Sequence, residues 1–493
     1  MHPTSLPGTH GVGDFGPEAY KFVDFLAAAG QKLWQVLPLN PTGYADSPFQ
    51  CLSASAGNPV LISLDRLAEA GILKRSELAN APMFPGSEVD YGRAIGFKFP
   101  LLKKAAERFL QKAKPEFDRF CSENAAWLDD YALFAAVKEA NGLVEWTKWP
   151  ADIAGREPEA IKRWTTKLTD EINAQKVWQF IFFQQWRELR AYGKERGIRI
   201  IGDVPIYVAH DSADVWANRQ FFLLDDRGLP TKVAGVPPDY FSATGQLWGN
   251  PIYNWPLMKE MKYEWWIERV RAALRLYDYI RIDHFRGFEA YWEIPAGDTT
   301  ARNGQWVKGP GAELFTALEH ALGDLPIIAE NLGVITPEVE AIRHQFHMPG
   351  MSILQFGFGN DPQAPTFRPH NYVHELVAYT GTHDNDTVVG WWNSKAGIGS
   401  IRTEADIEKE HAFARAYLNF EAEPINWVLI RGIQRSVANT AIMPTQDILG
   451  LGSEARMNLP GTSSGNWKWR MRPGALTEEI AARLSEMATL YER

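Results

Sequence analysis

The stretch at residues 278–288, DYIRIDHFRGF, contains two charged residues, Arg281 and Asp283, that are two positions apart. In a strand these side chains share one face, and Ile280 and Ile282 share the other. On a face that points into an enclosed site, Arg281 would favour the ionised form of Asp283. The pattern then predicts a carboxylate able to act as a nucleophile. On a face open to water, the same pair would be an ordinary surface feature.

Polar side chains also follow most of the other short apolar runs of the chain. These residues are Asn40, Asp203, Glu330, Asn331, Gln355, His383, Asp384, Asn385, Gln446 and Asp447. Taken alone, Asp203 or Asp447 is as well explained by a helix cap or a surface loop. The three carboxylates Asp283, Glu330 and Asp384 together favour a catalytic site, because burying several carboxylates is costly without compensating contacts.

Two carboxylates in different environments are the groups that cleave glycosidic bonds, since one stays ionised while the other keeps a proton. Glu330 follows the apolar run PIIA, so burial and neighbouring carboxylates should raise its pKa. We therefore expect Asp283 to be the nucleophile and Glu330 the acid/base. His284 and His383 adjoin carboxylates, and we expect them either to donate hydrogen bonds to substrate hydroxyls or to be structural.

The elements that must position these residues alternate between strands and helices. Helical patterns appear in PEAYKFVDFLAAAG, TPEVEAIRHQF and EHAFARAYLNF. Alternation implies parallel strands, and no G-x-G-x-x-G follows an early strand, which favours a (β/α)₈ TIM-type barrel over a doubly wound sheet. The expected strands are 32–39, 198–208, 278–285, 325–333, 351–358, 376–384 and 439–451.

The barrel is expected to carry large insertions after its strands. A barrel of about 250 residues leaves roughly half of this chain over. We interpret 1–493 as one catalytic domain, with a mainly helical insertion at 61–175 and a loop-rich insertion at 209–262. An eighth strand should precede HPTSLPG, where the chain begins with Met1. Either the first strand is truncated or the start was assigned too far downstream.

Composition narrows the partners and the compartment. The net charge is -9 and the sequence pI is near 5.8, which argues against a nucleic-acid partner. The chain has two cysteines and neither a signal segment nor a long apolar run, so we expect a cytoplasmic protein without a membrane partner.

HQFH at 344–347 has no third ligand in view and phosphate-loop signatures are absent, so we expect neither metal nor cofactor. Of the 19 tryptophans most should be core, but Trp248 and Trp255 lie in Gly/Pro-rich text that suits stacking on sugar rings.

Six motifs in order resemble the amylomaltases, the bacterial and plant-type 4-α-glucanotransferases related to the α-amylases. They extend from residue 2 to GNWKWR near 470, and together they are specific. The motifs are HPTSLPG, GDVPIYVAHDSADVW, GVPPDYFSATGQLWGNPIYNW, YIRIDHFRGF, IIAENLG and GTHDNDT.

The resemblance implies roles for individual residues. Asp283 matches the family nucleophile, Glu330 the acid/base, and Asp384 the carboxylate that binds sugar hydroxyls and stabilises the transition state. The resemblance also implies substrate contacts and a lid over the glucan at 235–250. These contacts are Arg281, His383, Asp203, Gln246 and Trp248, with Tyr44 and Tyr91 at a secondary glucan site. In ADSPFQ, Phe49 takes the position often held by a tyrosine that stacks on the reacting sugar.

The implied reaction is the exchange of α-1,4 bonds. Donors would be maltooligosaccharides or starch-like glucans, and acceptors would be glucose or maltooligosaccharides that offer a 4-hydroxyl. Two alternatives stay open: an α-glucan hydrolase with the same residues and water as acceptor, and an inactive glucan-binding barrel. The three carboxylates argue against the second.

Overall fold

Seven parallel strands form the framework of the fold. The structure is a computed structural model, and it describes residues 1–112, 114–238, 244–396 and 403–493. The predicted strands are confirmed, although most are shorter than expected. The strands are β1 (Leu33–Gln35), β2 (Arg199–Pro205), β3 (Lys232–Val236), β4 (Gln246–Pro251), β5 (Tyr279–Asp283), β6 (Ala290–Pro295), β7 (Gln305–Lys308), β8 (Ile327–Ala329), β9 (Gly350–Ile353), β10 (Leu376–Tyr379) and β11 (Thr440–Ile442).

Helices lie between and around these strands. Helix α14 shows why: Pro337 opens it, acidic residues occupy its first turn, and Arg343 and His344 occupy its last turn, which complements the helix dipole. The helices are α1 (Pro17–Ala28), α2 (Leu64–Glu69), α3 (Arg75–Leu78), α4 (Tyr91–Leu110), α5 (Pro115–Glu123), α6 (Ala125–Ala140), α7 (Ala151–Ala154), α8 (Pro158–Lys167), α9 (Thr169–Glu195), α10 (Ala213–Ala217), α11 (Trp255–Glu260), α12 (Glu264–Leu276), α13 (Ala312–Leu322), α14 (Pro337–Gln345), α15 (Val388–Trp392), α16 (Glu404–Leu418), α17 (Ile425–Gln434), α18 (Thr445–Ile448) and α19 (Glu478–Leu490).

The parallel strands run side by side in the order β1, β2, β5, β8, then β9, β10, β11. A backbone hydrogen bond from Ala329 N to Pro349 O, 2.9 Å long, joins the β8 and β9 edges. The fold is therefore of the TIM-barrel type. Among the described residues β11 and β1 are not paired. Met1 and His2 line a cavity together with residues 35–37 and 442–444 at this position.

Side chains divide between the inside and the outside of the barrel by the period of two. Register places Asp203 opposite Arg281 and Pro205 opposite Asp283, so these residues point inward in two layers. An apolar cluster of Ile201, Ile328, Met351, Ile353, Val377 and Tyr379 lies against these residues, since Ile328 is in register with Arg281 and Met351 contacts its guanidinium. Ile280 and Ile282 point outward into the large core shared with the surrounding helices. The charged residues are thus enclosed by apolar side chains from the neighbouring strands.

The two segments predicted to be insertions contain helices and strands as follows. The described part of 61–175 is helical, but its last helix, α9, continues to Glu195 and packs against the barrel helix α1. The 209–262 segment is less irregular than predicted, because β3 and β4 pair in it. Strands β6 and β7, which were not predicted, extend this pair into an antiparallel sheet of order β4, β3, β6, β7.

Two predicted strands continue as helix instead. The second half of 351–358 is a 3₁₀ turn at Leu354–Gly357, and α18 replaces the end of 439–451. Pro444 precedes α18, and because proline has no backbone N–H it cannot donate a hydrogen bond to a neighbouring strand. Across the described ranges, none of the helices is both long and apolar enough to cross a membrane.

Candidate active site

Arg281 is the charged centre of the site. Its Nη1 lies 2.8 Å from both carboxylate oxygens of Asp203, and its Nη2 lies 2.9 Å from Oδ1 of Asp283. Arg281 and Asp203 are buried, whereas about a third of the Asp283 side chain is exposed. A planar guanidinium that contacts two carboxylates fixes both in place. The exposed carboxylate of Asp283 is therefore the one that a substrate can reach.

Burial opposes this pairing at Asp203. Burial raises the pKa of Asp203 to about 6, even though Arg281 lowers it. Asp203 thus needs Arg281 in order to stay ionised. Arg281 in turn forms an ion pair with a buried residue as well as with Asp283. The prediction that Asp203 contacts substrate is not reflected in its position, because it is 2% exposed beneath Asp283.

Glu330 stands next to Asp283 on the neighbouring strand. Register pairs Ile282 with Ala329, so the two carboxylates extend the adjacent ends of β5 and β8. The backbone N–H of His284 donates to Oε2 of Glu330 over 2.8 Å, and Leu332 N–H donates to Oε1 over 2.8 Å.

The pKa of Glu330 is tuned by opposing effects. Burial raises the pKa of Glu330 to about 7, and the charge of Asp283 acts in the same direction. Arg281 and the two N–H donors act against them. As expected from the sequence, the pKa of Glu330 is raised, and this carboxyl group can exchange a proton near neutral pH.

The loop after β10, residues 380–388, brings the third predicted carboxylate to the same end of the barrel. Asp384 is exposed, and its Oδ1 accepts a 2.6 Å hydrogen bond from Asn458 and lies 3.5 Å from His383 Nε2. His383 is close enough to Asp203 to lower the pKa of Asp203 electrostatically. The three carboxylates therefore belong to one polar mouth, with Asp384 on its outer side.

An aromatic wall borders Asp384. The ring of Phe49 stacks on His383 with centroids 4.8 Å apart, and Trp467 contacts both rings at 5.7 and 5.8 Å. Phe49 is only partly buried. Part of the Phe49 ring is therefore accessible beside His383, and its stacking on a sugar stays a prediction.

The predicted lid lies on the opposite side. Trp248 Nε1 donates to Gln246 Oε1 over 3.1 Å, and the Trp248 ring meets His284 edge-on at 4.8 Å. His284 in turn follows Asp283 directly. Residues 239–243 of the lid lie outside the described residues. The described part of the predicted lid thus contacts the end of β5 through Trp248.

The two tyrosines expected at a secondary glucan site differ in exposure. Tyr44 is 73% exposed. Tyr91 is 7% exposed and its hydroxyl donates to Trp467 O over 3.0 Å. The Tyr44 ring is accessible to a ligand, whereas the Tyr91 ring is packed in the interior.

Sequence reasoning missed two residues that hold Asp384. Arg456 Nη2 donates to Asp384 O over 2.7 Å, and Asn458 contributes both its side chain and a backbone N–H, which donates to His383 O over 3.0 Å. They lie in ARMNLPG, a Pro/Gly-containing segment after the last barrel strand. A search for polar residues in the loop after β11 would have found them.

Comparisons with known proteins agree with this geometry. The family model described as 4-alpha-glucanotransferase matches residues 1–477. A 4-alpha-glucanotransferase of Synechocystis sp. is 52% identical, covering 100% of this chain and 97% of the relative. One from Thermus thermophilus is 50% identical, covering 100% and 98%. The solved amylomaltase of Streptococcus agalactiae, in complex with acarbose, is 42% identical and superposes with a TM-score of 0.95 over 100% of this chain and 98% of the other. The chain belongs to the 4-alpha-glucanotransferase family.

Proposed function

We propose that this protein transfers α-1,4-glucan segments from a maltooligosaccharide or starch-like donor to the 4-hydroxyl of an acceptor sugar, by a retaining double displacement. The observation that carries the proposal is the pair formed by Asp283, held at Arg281, and Glu330, whose pKa is raised to about 7. Retaining enzymes use two carboxyl groups, one that attacks as a nucleophile and one that carries a proton.

In the first step, an oxygen of Asp283 attacks the anomeric carbon of the donor. The glycosidic C–O bond breaks, its electron pair stays on the departing 4-oxygen, and that oxygen takes the proton of Glu330. The product is a glucosyl ester of Asp283 and a shortened glucan. Glu330 is then a carboxylate, which the N–H groups of His284 and Leu332 stabilise.

In the second step, Glu330 accepts the proton of an acceptor 4-hydroxyl. The acceptor oxygen attacks the anomeric carbon, the ester bond breaks, and Asp283 is released as a carboxylate. The number of glycosidic bonds is unchanged. Asp384 and His383 would bind hydroxyls of the reacting sugar, and Phe49 would stack on its face.

Preference for a sugar acceptor is assigned to the lid. The Trp248 ring contacts His284, next to the proposed nucleophile, and donates a hydrogen bond to Gln246; apolar cover at this point would keep water from the ester. Glucose and maltooligosaccharides are the proposed acceptors, and the amylomaltase of Streptococcus agalactiae, which binds the sugar analogue acarbose, supports a sugar ligand at this site. We place the reaction in the cytoplasm, in keeping with two cysteines that are both free.

Incubation with maltotriose alone tests the proposal. We expect glucose together with a ladder of longer maltooligosaccharides, resolved by chromatography, at a constant number of reducing ends. Reducing ends that rise as donor disappears, without longer products, would identify a hydrolase. Unchanged maltotriose would identify an inactive binding protein.

A further inference from the structure

Asp447 is a fully buried carboxylate that the reaction does not use. It lies in α18, with 0% of its surface exposed, and Asn426 Nδ2 fixes its backbone carbonyl over 2.8 Å. Its Oδ2 accepts a 2.7 Å hydrogen bond from Thr380 Oγ1, and its Oδ1 accepts a 2.8 Å bond from Val388 N. Both of these partners are uncharged.

The two partners of Asp447 are the two ends of the loop that carries Asp384. Thr380 follows the last residue of β10, and Val388 is the first residue of α15. One carboxylate thus holds the start and the end of the 380–388 loop at a fixed separation. His383 and Asp384 lie between these two points, and Arg456 and Asn458 contact the same stretch from the outside.

Keeping a carboxylate here is costly. Burial raises the pKa of Asp447 to about 6, and the like charge of Asp386 adds to the effect. A buried carboxylate without a cation destabilises a fold. The geometry that it imposes on the loop is the compensating gain.

We propose that Asp447 is a positioning residue for the reaction: by fastening both ends of the 380–388 loop it holds Asp384 and His383 at the distance at which they reach the bound sugar. The inference rests on the role proposed above for Asp384. Displacing a substrate-binding group by about 1 Å can cost on the order of 100-fold in rate.

The test is a double-mutant cycle of Asp447→Ala and Asp384→Asn. The donor is α-maltotriosyl fluoride with glucose as acceptor, because a good leaving group keeps weak variants measurable. We expect Asp447→Ala to lower kcat by at least about 10-fold, with a much smaller change in KM, because it moves a group that acts in the transition state. In the Asp384→Asn background the same change should cost less than about 3-fold, because its effect passes through Asp384.

Two further variants separate positioning from folding. Asp447→Asn should restore most of kcat, because its oxygen can accept from Val388 N and its amide can donate to Thr380 Oγ1. Asp14→Ala breaks the 2.9 Å ion pair with buried Lys98 and serves as the control for destabilisation, with kcat expected to stay near that of the wild type. If Asp447→Ala does not fold, Thr380→Val removes one of the two ties and takes its place in the cycle.

The outcomes distinguish this inference from the proposed function. Wild-type kcat in both Asp447→Ala and Thr380→Val, or an equal loss in both backgrounds of the cycle, would overturn the positioning role while leaving the reaction intact. Full activity of Asp384→Asn would instead remove the role of Asp384 and, with it, the basis of the inference.

Discussion

His284 donates its backbone N–H to Oε2 of Glu330 over 2.8 Å, so the residue after the nucleophile candidate holds the acid/base candidate. His284 adopts a left-handed backbone with φ of 53°, which is unfavourable for a residue with a side chain. This turn aims its N–H across the strand boundary, and Glu330 N in return donates to Ile282 O over 3.1 Å. The backbone groups of His284 and Ile282 thus help to set the relative position of the two carboxylates, together with the side chain of Arg281, which holds Asp283.

The pH dependence of the first step should report Glu330. Its pKa is raised to about 7, and it must be protonated to assist the leaving group. The rate constant kcat/KM for maltotriose should therefore fall as pH rises through about 7. With α-maltotriosyl fluoride, whose leaving group needs little protonation, this alkaline fall should be much weaker. An equal fall for both donors would assign the titration to another group.

The roles of Asp283 and Glu330 can be separated by trapping. Glu330→Gln removes the proton donor but leaves attack on α-maltotriosyl fluoride possible, while the second step stalls because an amide cannot deprotonate the acceptor. Mass spectrometry should show a glycosyl adduct on the peptide that contains Asp283. In the matched Asp283→Asn protein we expect no adduct. An adduct on another carboxylate would show that the nucleophile is misassigned.

Removing Arg281 should destabilise the protein and inactivate it for different reasons. Arg281→Met leaves Asp203 buried without its cation, and breaking a buried pair typically costs about 3–5 kcal/mol in urea unfolding. Activity should fall by at least about 100-fold, because Asp283 loses the charge that holds it. Adding Asp203→Asn should restore much of the unfolding free energy but not the activity. Recovery of both together would mean that Arg281 acts through stability alone.

Buried Asp447 should make the fold less stable as pH rises. Its folded pKa, about 6, exceeds the unfolded value of about 4, so the folded state binds more protons between these values and stability falls across this window. Asp447→Asn removes the titration and should raise the unfolding free energy at pH 7.5 by at most about 3 kcal/mol, with the gain fading towards pH 4. Asp225→Asn is a control with the opposite sign. Hydrogen bonds from Leu229 and Arg227 lower the pKa of Asp225, so this substitution should lower the unfolding free energy at pH 7.5. A gain from Asp447→Asn that does not depend on pH would contradict this account.

The barrel strands could be predicted from sequence because each is a short apolar run followed by a polar residue at the barrel mouth. Where such a run continues past the mouth, the prediction was wrong, as in the 3₁₀ turn at Leu354–Gly357. An apolar sequence alone does not determine whether a segment pairs as a strand or packs as a turn. Strand β6 was missed for a related reason, since it pairs with β3 across more than 50 residues of sequence, and β7 in turn pairs with β6.

The site was predictable where it depends on local pattern. The alternation in YIRID places Arg281 and Asp283 on one face, and the structure brings them together with Glu330. Arg456 and Asn458 are visible in the sequence as polar residues after β11, but their contacts with Asp384 were not predictable, because Asn458 lies 74 positions away in the chain. Exposure was not predictable either, as the burial of Tyr91 shows. The catalytic roles themselves stay predictions.

The lid should decide between transfer and hydrolysis. Trp248 meets His284 edge-on at 4.8 Å and donates a 3.1 Å hydrogen bond to Gln246, so Trp248→Ala removes an apolar contact next to the nucleophile candidate. Water should then compete for the glucosyl ester, and the fraction of maltotriose turnover that produces new reducing ends should rise several-fold while longer products decline. Trp306 is the control: it is 42% exposed on β7 and its ring packs against Trp292 and the Arg286 guanidinium instead of His284, so Trp306→Ala should leave the ratio unchanged. A Trp248→Ala protein with the wild-type ratio and a raised KM would show that the lid binds glucan without excluding water.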